Sequence, residues 1–322
     1  GSITNGAGAS VEASSWRSLL GAWLCARQPF GYGKRQAANY NAGVGGTPSW
    51  YGLVRMALDV VAKGPELVLI DFAVNDASAA GIGARSLGFA PAAEALIRRL
   101  RLECPAATLA INIFAWPDLY SGMDVNRRAA RDRWVALAGQ YGLKLYRWDT
   151  YLESLLGPGY NDAQVEAYLL AAGDVHPNDA GHDAIFDLIS ADFAGFSGGS
   201  LAALPGYYEA EAADYEHEPQ IVLGKDLTRV GTWAVDGNSV TSATAGSTAS
   251  FSGTFCSFGW DTGFGAGNGT LAWSLDGGAY TSVDLALQDV ANKAVWNFAR
   301  GAHTVTLKVV SGSIRINRFL AI

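Results

Sequence analysis

Two of the four histidines in this 322-residue chain, His176 and His182, lie in one short acidic stretch. Asp174 precedes His176 by two positions, and Pro177 follows it directly. Histidine is the side chain whose unperturbed pKa lies nearest neutrality, so a histidine beside a carboxylate is a candidate general base. A residue before proline is kept out of the helical region, which predicts that His176 lies on a loop. The alternative is a structural histidine on an ordinary loop.

A helix is predicted directly after this loop and would support the base. Asn178 or Asp179 can cap its first turn. His182 falls on this helix, and we expect it on the helix surface rather than acting as a second base. The helix is expected to end near residue 196, and its apolar side chains recur at helical spacing: Ile185, Phe186, Leu188, Ile189 and Phe193.

Helical and strand-like patterns alternate upstream of this stretch. Helical spacing occurs in residues 11–27, 48–63, 91–102 and 126–141. Apolar runs typical of buried strands occur in residues 66–74, 107–116 and 143–148, and residues 36–46 are predicted as a strand that ends in a glycine-rich loop. This alternation predicts parallel βαβ units with helices on both faces and a ligand site beyond the carboxyl ends of the strands. Loop 41–47 and the pair Asn75-Asp76 are expected at such ends.

The hydrophobic pattern changes after a linker rich in small residues. Residues 253–258, 270–275, 303–310 and 314–319 alternate with period two, and an Asp-Gly-Gly turn at 276–278 follows one of these runs. Short alternating strands with such turns predict a β-sandwich. We therefore predict an α/β domain in residues 1–198, a linker in 199–206 and a β-sandwich in 207–322.

Composition excludes several classes of function. The formal net charge of −7 argues against nucleic acid or an anionic membrane as the main partner. No apolar run reaches the ~18 residues that a membrane span needs. Cys25, Cys104 and Cys256 lie far apart in no metal-binding pattern, so neither a metal nor another cofactor is predicted. The oligomeric state stays open.

Four short blocks, in order, resemble the SGNH or GDSL-type hydrolases. They are residues 1–6 (Gly-Ser-Ile-Thr-Asn-Gly), the loop Asn41-Ala42-Gly43-Val44-Gly45-Gly46, the pair Asn75-Asp76, and Asp174 with His176 before proline. The resemblance covers residues 1 to about 196. It implies a flavodoxin-like, three-layer α/β fold with a parallel sheet, and serine esterase activity.

By this resemblance, Ser2 would be the nucleophile, His176 the base and Asp174 its orienting acid. The oxyanion hole would combine the backbone N–H groups of Ser2 and Gly46 with the side-chain amide of Asn75. A serine hydroxyl needs such a base, such an acid and such donors to attack an ester.

Two features depart from the family pattern. The family places its acid three residues before the histidine, where this chain has Gly173, so a dyad of Ser2 and His176 oriented by a backbone carbonyl is the alternative. The family's first strand would precede Gly1. A Gly-Ser pair at a chain start can also be the remnant of an expression tag.

The second domain resembles jelly-roll and carbohydrate-binding modules, with Trp260, Phe264 or Tyr280 as a sugar platform. The alternative is a structural or oligomerisation domain whose aromatic residues are in the core. Together the two domains favour an esterase that removes small acyl groups, O-acetyl above all, from an acylated polysaccharide or another small ester. The alternatives are a lipase or thioesterase for longer acyl chains, and a glycan-binding adhesin with an inactive hydrolase fold. An extracellular, cell-surface or virion-associated location is expected.

Overall fold

The computed structural model of the chain describes residues 1–27, 39–79, 89–193, 212–215, 217, 219–262, 268–285 and 296–322. The chain divides into two compact units. The first comprises Gly1–Ser49, Ala57–Gly81 and Ile97–Tyr208, and the second comprises Trp50–Met56, Ile82–Leu96 and Glu209–Ile322. The predicted linker, residues 199–206, lies outside the described residues, so the domain boundaries stay predictions.

Helices and strands alternate through the α/β part of the chain. The described α-helices are α1 (Ser2–Asn5), α2 (Trp16–Arg27), α3 (Ser49–Asp59), α4 (Ala73–Ala79), α5 (Ala90–Glu103), α6 (Val125–Tyr141), α7 (Trp148–Leu156), α8 (Asp162–Glu166) and α9 (Asp179–Phe193). Single turns of 3-10 helix cover Glu12–Ser14 and Val61–Lys63. The strands are β1 (Leu67–Ile70), β2 (Thr108–Ile113) and β3 (Lys144–Arg147).

The three strands form a parallel sheet in the order β1-β2-β3. Leu67 of β1 pairs with Thr108 of β2, and Ala110 of β2 pairs with Lys144 of β3. Every side chain of β2 after Thr108 is buried, as expected for a strand covered on both faces. Helix α6 packs against α4, and α9 packs against α2 and α7. The predicted α/β class with a parallel sheet is confirmed.

Two details of the sequence prediction are wrong. The apolar run 66–74 is not one strand, because β1 ends at Ile70 and α4 begins at Ala73. Asn75 and Asp76 therefore lie in the first turn of a helix. A short apolar run cannot by itself separate a buried strand from a buried helix start.

The second error concerns the strand expected in residues 36–46. Its described part, residues 39–46, is loop and turn. The Gly43 N–H donates to Asn41 Oδ1 at 2.8 Å, a local bond that replaces a strand ladder.

The C-terminal part of the chain folds as an antiparallel β-sandwich. One helical turn, α10 (Ala212–Tyr215), and a 3-10 turn, Gly224–Asp226, accompany the strands. The strands are β4 (Gln220–Leu223), β5 (Thr228–Val230), β6 (Ala234–Asp236), β7 (Ser239–Ser242), β8 (Thr248–Thr262), β9 (Thr270–Leu275), β10 (Thr281–Asp284), β11 (Trp296–Ser311) and β12 (Ile314–Ala321). They pair in the order β10-β9-β11-β8-β12-β7-β6, with β4 on β12 and β5 on β8.

Aromatic side chains fill the centre of the sandwich. Phe258 stacks on Phe319 with ring centroids 5.7 Å apart, and Phe255 contacts Phe319 edge-on. The four predicted strands lie in β8, β9, β11 and β12. The predicted turn at 276–278 forms at the end of β9, with Asp276 at φ 51°.

The predicted sugar platform is wrong for Trp260, which is buried in this core. Tyr280 is 42% exposed, but the Lys308 ammonium lies over its ring, 3.8 Å from the centroid. Phe264 lies outside the described residues.

Candidate active site

Ser2, His176 and Asp174 form one continuous hydrogen-bonded chain. Ser2 Oγ lies 2.9 Å from His176 Nε2, and His176 Nδ1 lies 2.7 Å from Asp174 Oδ1. All three side chains are partly buried. A carboxylate at Nδ1 leaves Nε2 free to accept the hydroxyl proton, which is the arrangement that general-base activation of a serine requires.

Ser2 is held at the carboxyl end of β1. It lies in the first turn of the four-residue helix α1, which ends at Asn5 and is followed by Gly6 in the left-handed conformation (φ 97°). The Gly1 nitrogen donates to the Asp71 carbonyl at 3.2 Å, and Thr4 Oγ1 donates to Asp71 Oδ2 at 2.7 Å. Because the first N–H groups of a helix have no acceptor within it, the Ser2 N–H is suited to bind an anionic oxygen.

The loop that carries His176 is fixed on both sides. The His176 carbonyl accepts the Leu170 N–H at 2.9 Å. Asn178 donates to the Leu169 carbonyl at 2.9 Å and accepts the Gly181 N–H at 3.1 Å. Asn178 thus caps α9, as predicted.

Asp174 reaches His176 despite its shifted position in the sequence. Gly173, at φ 74°, turns the chain just before it, and the Gly173 N–H donates to the Tyr120 hydroxyl at 3.1 Å. Burial alone would raise the pKa of Asp174. The hydrogen bonds from the backbone and ring of His176 outweigh burial and lower that pKa below its ordinary value.

The two other predicted oxyanion donors lie on segments that meet Gly1 and Ser2. A Cβ added to Gly1 would lie 2.9 Å from Asn75 Nδ2, and one added to Gly45 would lie 3.6 Å from Ser2 Cβ. Gly46 has φ 69°, a conformation that favours glycine. The structure therefore brings the 41–47 loop and the start of α4 beside the serine. The roles of Ser2, Gly46 and Asn75 as oxyanion donors stay a prediction.

The 41–47 loop is also tied to α1 directly. Asn41 Nδ2 donates to Asn5 Oδ1 at 3.2 Å. A Cβ on Gly43 would lie 2.6 Å from the Asn5 nitrogen, so this approach requires glycine.

Sequence reasoning missed the role of Asp76. Its carboxylate is fully buried and accepts three hydrogen bonds, from the Ser49 N–H at 2.7 Å, the Ser49 hydroxyl at 3.0 Å and Trp134 Nε1 at 2.9 Å. Burial raises the pKa of Asp76 to about 7, and the hydrogen bonds from Ser49 and Trp134 oppose this shift. Asp76 thereby caps α3, which begins just after the glycine loop, and joins it to α4, which carries Asn75. The adjacent Asn75-Asp76 pair was the only signal in the sequence.

The surface position predicted for His182 is wrong. Its side chain is fully buried. Both ring nitrogens face backbone groups of the N-terminal segment. Nδ1 accepts the Trp16 N–H at 3.4 Å, and Nε2 lies 3.3 Å from the Ala7 carbonyl.

A second His–Asp pair lies in the β-sandwich. His303 Nδ1 lies 2.7 Å from Asp276 Oδ2, the same separation as in the first pair. Its Nε2, however, meets the Ala299 carbonyl at 3.1 Å rather than a hydroxyl.

A small apolar pocket opens beyond the carboxyl ends of β1 and β2. Arg127 lies over the Trp116 ring at 4.1 Å from its centroid. The pocket is lined by Ala73, Val74, Phe114, Ala115, Trp116 and Arg127. Among the described residues, no group of three or more His, Cys, Asp or Glu side chains is placed to hold a metal ion. No α-helix in the described part of the chain has both the length and the apolar character to cross a membrane.

The fold and the sequence each have known counterparts. Two crystal structures of a two-domain esterase (CEX), described as active on acetylated mannans, are similar to this chain. The one co-crystallised with mannopentaose has a TM-score of 0.78 and 19% identity, over 100% of this chain and 88% of that one. The other has a TM-score of 0.76 and 19% identity, over 99% of this chain and 88% of that one. No curated protein sequence matches the chain.

At the level of sequence, residues 1–184 match the model of the GDSL-like Lipase/Acylhydrolase family. The matched region contains Ser2, Asn75, Asp174 and His176. The chain therefore belongs to the GDSL-like lipase/acylhydrolase family of carboxylic ester hydrolases.

Proposed function

We propose that the protein is a serine esterase that removes small acyl groups, O-acetyl above all, from a polysaccharide. The observation that carries this proposal is the hydrogen-bonded chain from Ser2 through His176 to Asp174. Ser2 is the nucleophile, His176 the general base and Asp174 the acid that orients the imidazole.

The reaction follows the two steps of acyl transfer. Ser2 Oγ attacks the ester carbonyl while His176 Nε2 takes its proton, and Asp174 stabilises the imidazolium that forms. The Ser2 and Gly46 N–H groups and the Asn75 amide bind the tetrahedral oxyanion. The intermediate then collapses, its bond to the sugar oxygen breaks, and His176 gives its proton to that oxygen, which leaves as a hydroxyl. Water, activated by the same imidazole, releases the acyl group from Ser2 as a carboxylate.

An apolar pocket close to Asn75 in the chain is a candidate position for the acyl group. Ala73 and Val74, the two residues before Asn75, line this pocket. A polysaccharide substrate accords with the similarity in fold to the two-domain esterase described as active on acetylated mannans, so acetylated mannan is the first polymer to test. A polymeric substrate also favours an extracellular or cell-surface location.

The shifted position of Asp174 in the sequence is one argument for an inactive fold, as in the adhesin alternative. The structure weakens this argument, because Asp174 Oδ1 lies 2.7 Å from His176 Nδ1. A lipase or thioesterase of the kind considered above acts on longer acyl chains, so the chain-length preference on aryl esters from acetate to decanoate distinguishes it from our proposal.

The deciding experiment measures acetate release from acetylated mannan, acetylated xylan and an aryl acetate. It uses the intact protein, Ser2→Ala and His176→Ala, each shown by circular dichroism to be folded. We expect release that is lost in both variants. Full release by Ser2→Ala would overturn the assignment of the nucleophile, and glycan binding without turnover of any ester would support the adhesin.

A further inference from the structure

Two side chains of α9 that the proposed reaction does not use reach the segment following Ser2. Both carboxylate oxygens of Asp179 bind Ser10: Oδ1 accepts the Ser10 N–H at 2.8 Å, and Oδ2 accepts the Ser10 hydroxyl at 2.6 Å. This bond lowers the pKa of Asp179 below its ordinary value. Asn178 caps α9 with its own side chain, so the Asp179 carboxylate is available for Ser10.

The second contact is made by His182, one turn further along α9. Because Nδ1 accepts the Trp16 N–H, the ring proton is on Nε2, which donates to the Ala7 carbonyl. Burial lowers the pKa of His182, which keeps the ring in the neutral form that can both accept and donate.

The contacts of Asp179 and His182 are connected to Ser2 through Ala7. The Ala7 N–H donates to the Ser2 carbonyl at 3.0 Å, while the Ala7 carbonyl accepts from His182. Between Ala7 and Ser10, Gly8 packs so closely on the His176–Pro177 loop that a Cβ there would lie 2.0 Å from the Pro177 carbonyl oxygen. Residues 7–10, which follow Ser2, therefore contact both the His176–Pro177 loop and helix α9.

We propose that Asp179 and His182 are positioning residues that clamp residues 7–10 onto α9 and so set the contact between Ser2 Oγ and His176 Nε2. This inference rests on the proposed function. Neither side chain touches a reacting atom, and each acts through the backbone that carries the nucleophile. Reacting groups displaced by about 1 Å can lose about 100-fold in rate, so a loosened clamp should lower the rate of acyl transfer.

The test uses Asp179→Asn, Ser10→Ala and the double variant that combines these two changes. The control is Asp183→Asn, which alters an exposed carboxylate of the same helix. Thermal unfolding by circular dichroism establishes folding. The readouts are kcat and KM on an aryl acetate and the rate at which a fluorophosphonate labels Ser2. We expect both clamp variants to lower kcat and the labelling rate about 10- to 100-fold with little change in KM, and Asp183→Asn to match the wild type.

The double variant and two substitutions of His182 provide further comparisons. Because Ser10 and Asp179 form one contact, the double variant should lose no more rate than the worse single variant. His182→Gln keeps a donor for the Ala7 carbonyl and should retain more activity than His182→Ala. His182→Gln and Ser10→Ala also carry the test if Asp179→Asn does not fold.

Each outcome decides one proposal. If folded Asp179→Asn and Ser10→Ala keep the wild-type kcat and labelling rate, the positioning role is wrong and the proposed esterase function stands. A folded wild type that neither hydrolyses an ester nor reacts with the fluorophosphonate would overturn the proposed function. A crystal structure of Asp179→Asn would then decide the clamp, which is wrong if the distance between Ser2 Oγ and His176 Nε2 is unchanged.

Discussion

A single oxygen of Asp174, Oδ1, accepts two hydrogen bonds from His176, one from the backbone N–H at 2.9 Å and one from ring Nδ1 at 2.7 Å. The acid and the base are thus locked to each other within one tight turn. A bond from an aspartate side chain to the backbone N–H two residues later is a common local turn. The shifted position of the acid is therefore compatible with the orienting role that the resemblance implied.

Asp174→Asn should lower kcat strongly while leaving the fold intact. The amide cannot stabilise the imidazolium, and the corresponding change in a serine protease triad lowers kcat about 10⁴-fold. Because the Asp174 side chain is 27% exposed and water can replace part of the interaction, we expect a loss of about 10²–10³-fold. Hydrolysis of an aryl acetate, with circular dichroism as the folding control, measures it. Full activity would favour a Ser2–His176 dyad oriented by the backbone.

Asn75→Ala should remove one oxyanion donor and lower kcat about 10²–10³-fold, with little change in KM. Asn126→Ala, at an exposed position in the first turn of α6, is the matched control and should behave as the wild type. Equal kcat in the two variants would exclude Asn75 from the oxyanion hole.

Asp76→Asn should change how stability depends on pH. The folded-state pKa of about 7 lies above the ordinary 3.8, so the folded protein holds this proton more tightly than the unfolded chain. The contribution of Asp76 to stability is therefore present below pH 3.8 and is lost as pH rises through 7. Urea unfolding between pH 4 and 8 should show the wild type losing stability relative to Asp76→Asn over that range.

Only the difference in slope between the two plots of stability against pH tests this prediction. The asparagine amide also places a donor against Ser49 or Trp134, which lowers stability at every pH. Parallel pH curves for wild type and variant would show that Asp76 does not titrate in this range.

Gly8→Ala should destabilise the protein and reduce activity together. Gly8 has φ 95°, and a Cβ there would lie 2.0 Å from the Pro177 carbonyl oxygen. Gly139→Ala, in α6 with open space around the new methyl group, is the matched control, and its higher helix propensity should stabilise the protein by about 1 kcal/mol. Thermal unfolding of both variants checks the prediction, which fails if the two midpoints shift alike.

Sequence alone predicted the parts of the molecule that depend on local patterns. The α/β class follows from alternating periods, and the strand Thr270–Leu275 of the sandwich was predicted to the residue. Short blocks of sequence predicted Ser2, Asp174 and His176, and hydrogen bonds join these three side chains in the structure.

Long-range contacts account for most of what was missed. The burial of His182 depends on Ala7 and Trp16, more than 160 residues away, and helical spacing carries no trace of such partners. The three donors to Asp76 come from Ser49 of α3 and Trp134 of α6, and local sequence patterns do not connect these residues with Asp76. The start of α4 was read as strand because Ala73 and Val74 are apolar in either element.

The separation of 174 positions between Ser2 and His176 has a consequence for synthesis. The nucleophile and both segments proposed to bind the oxyanion leave the ribosome long before the base. Under the proposed mechanism, a nascent chain that ends before Asp174 would carry the serine without its base. Ester hydrolysis would then begin only when the segment with His176 reaches Ser2, so its onset during translation would time that late step of folding.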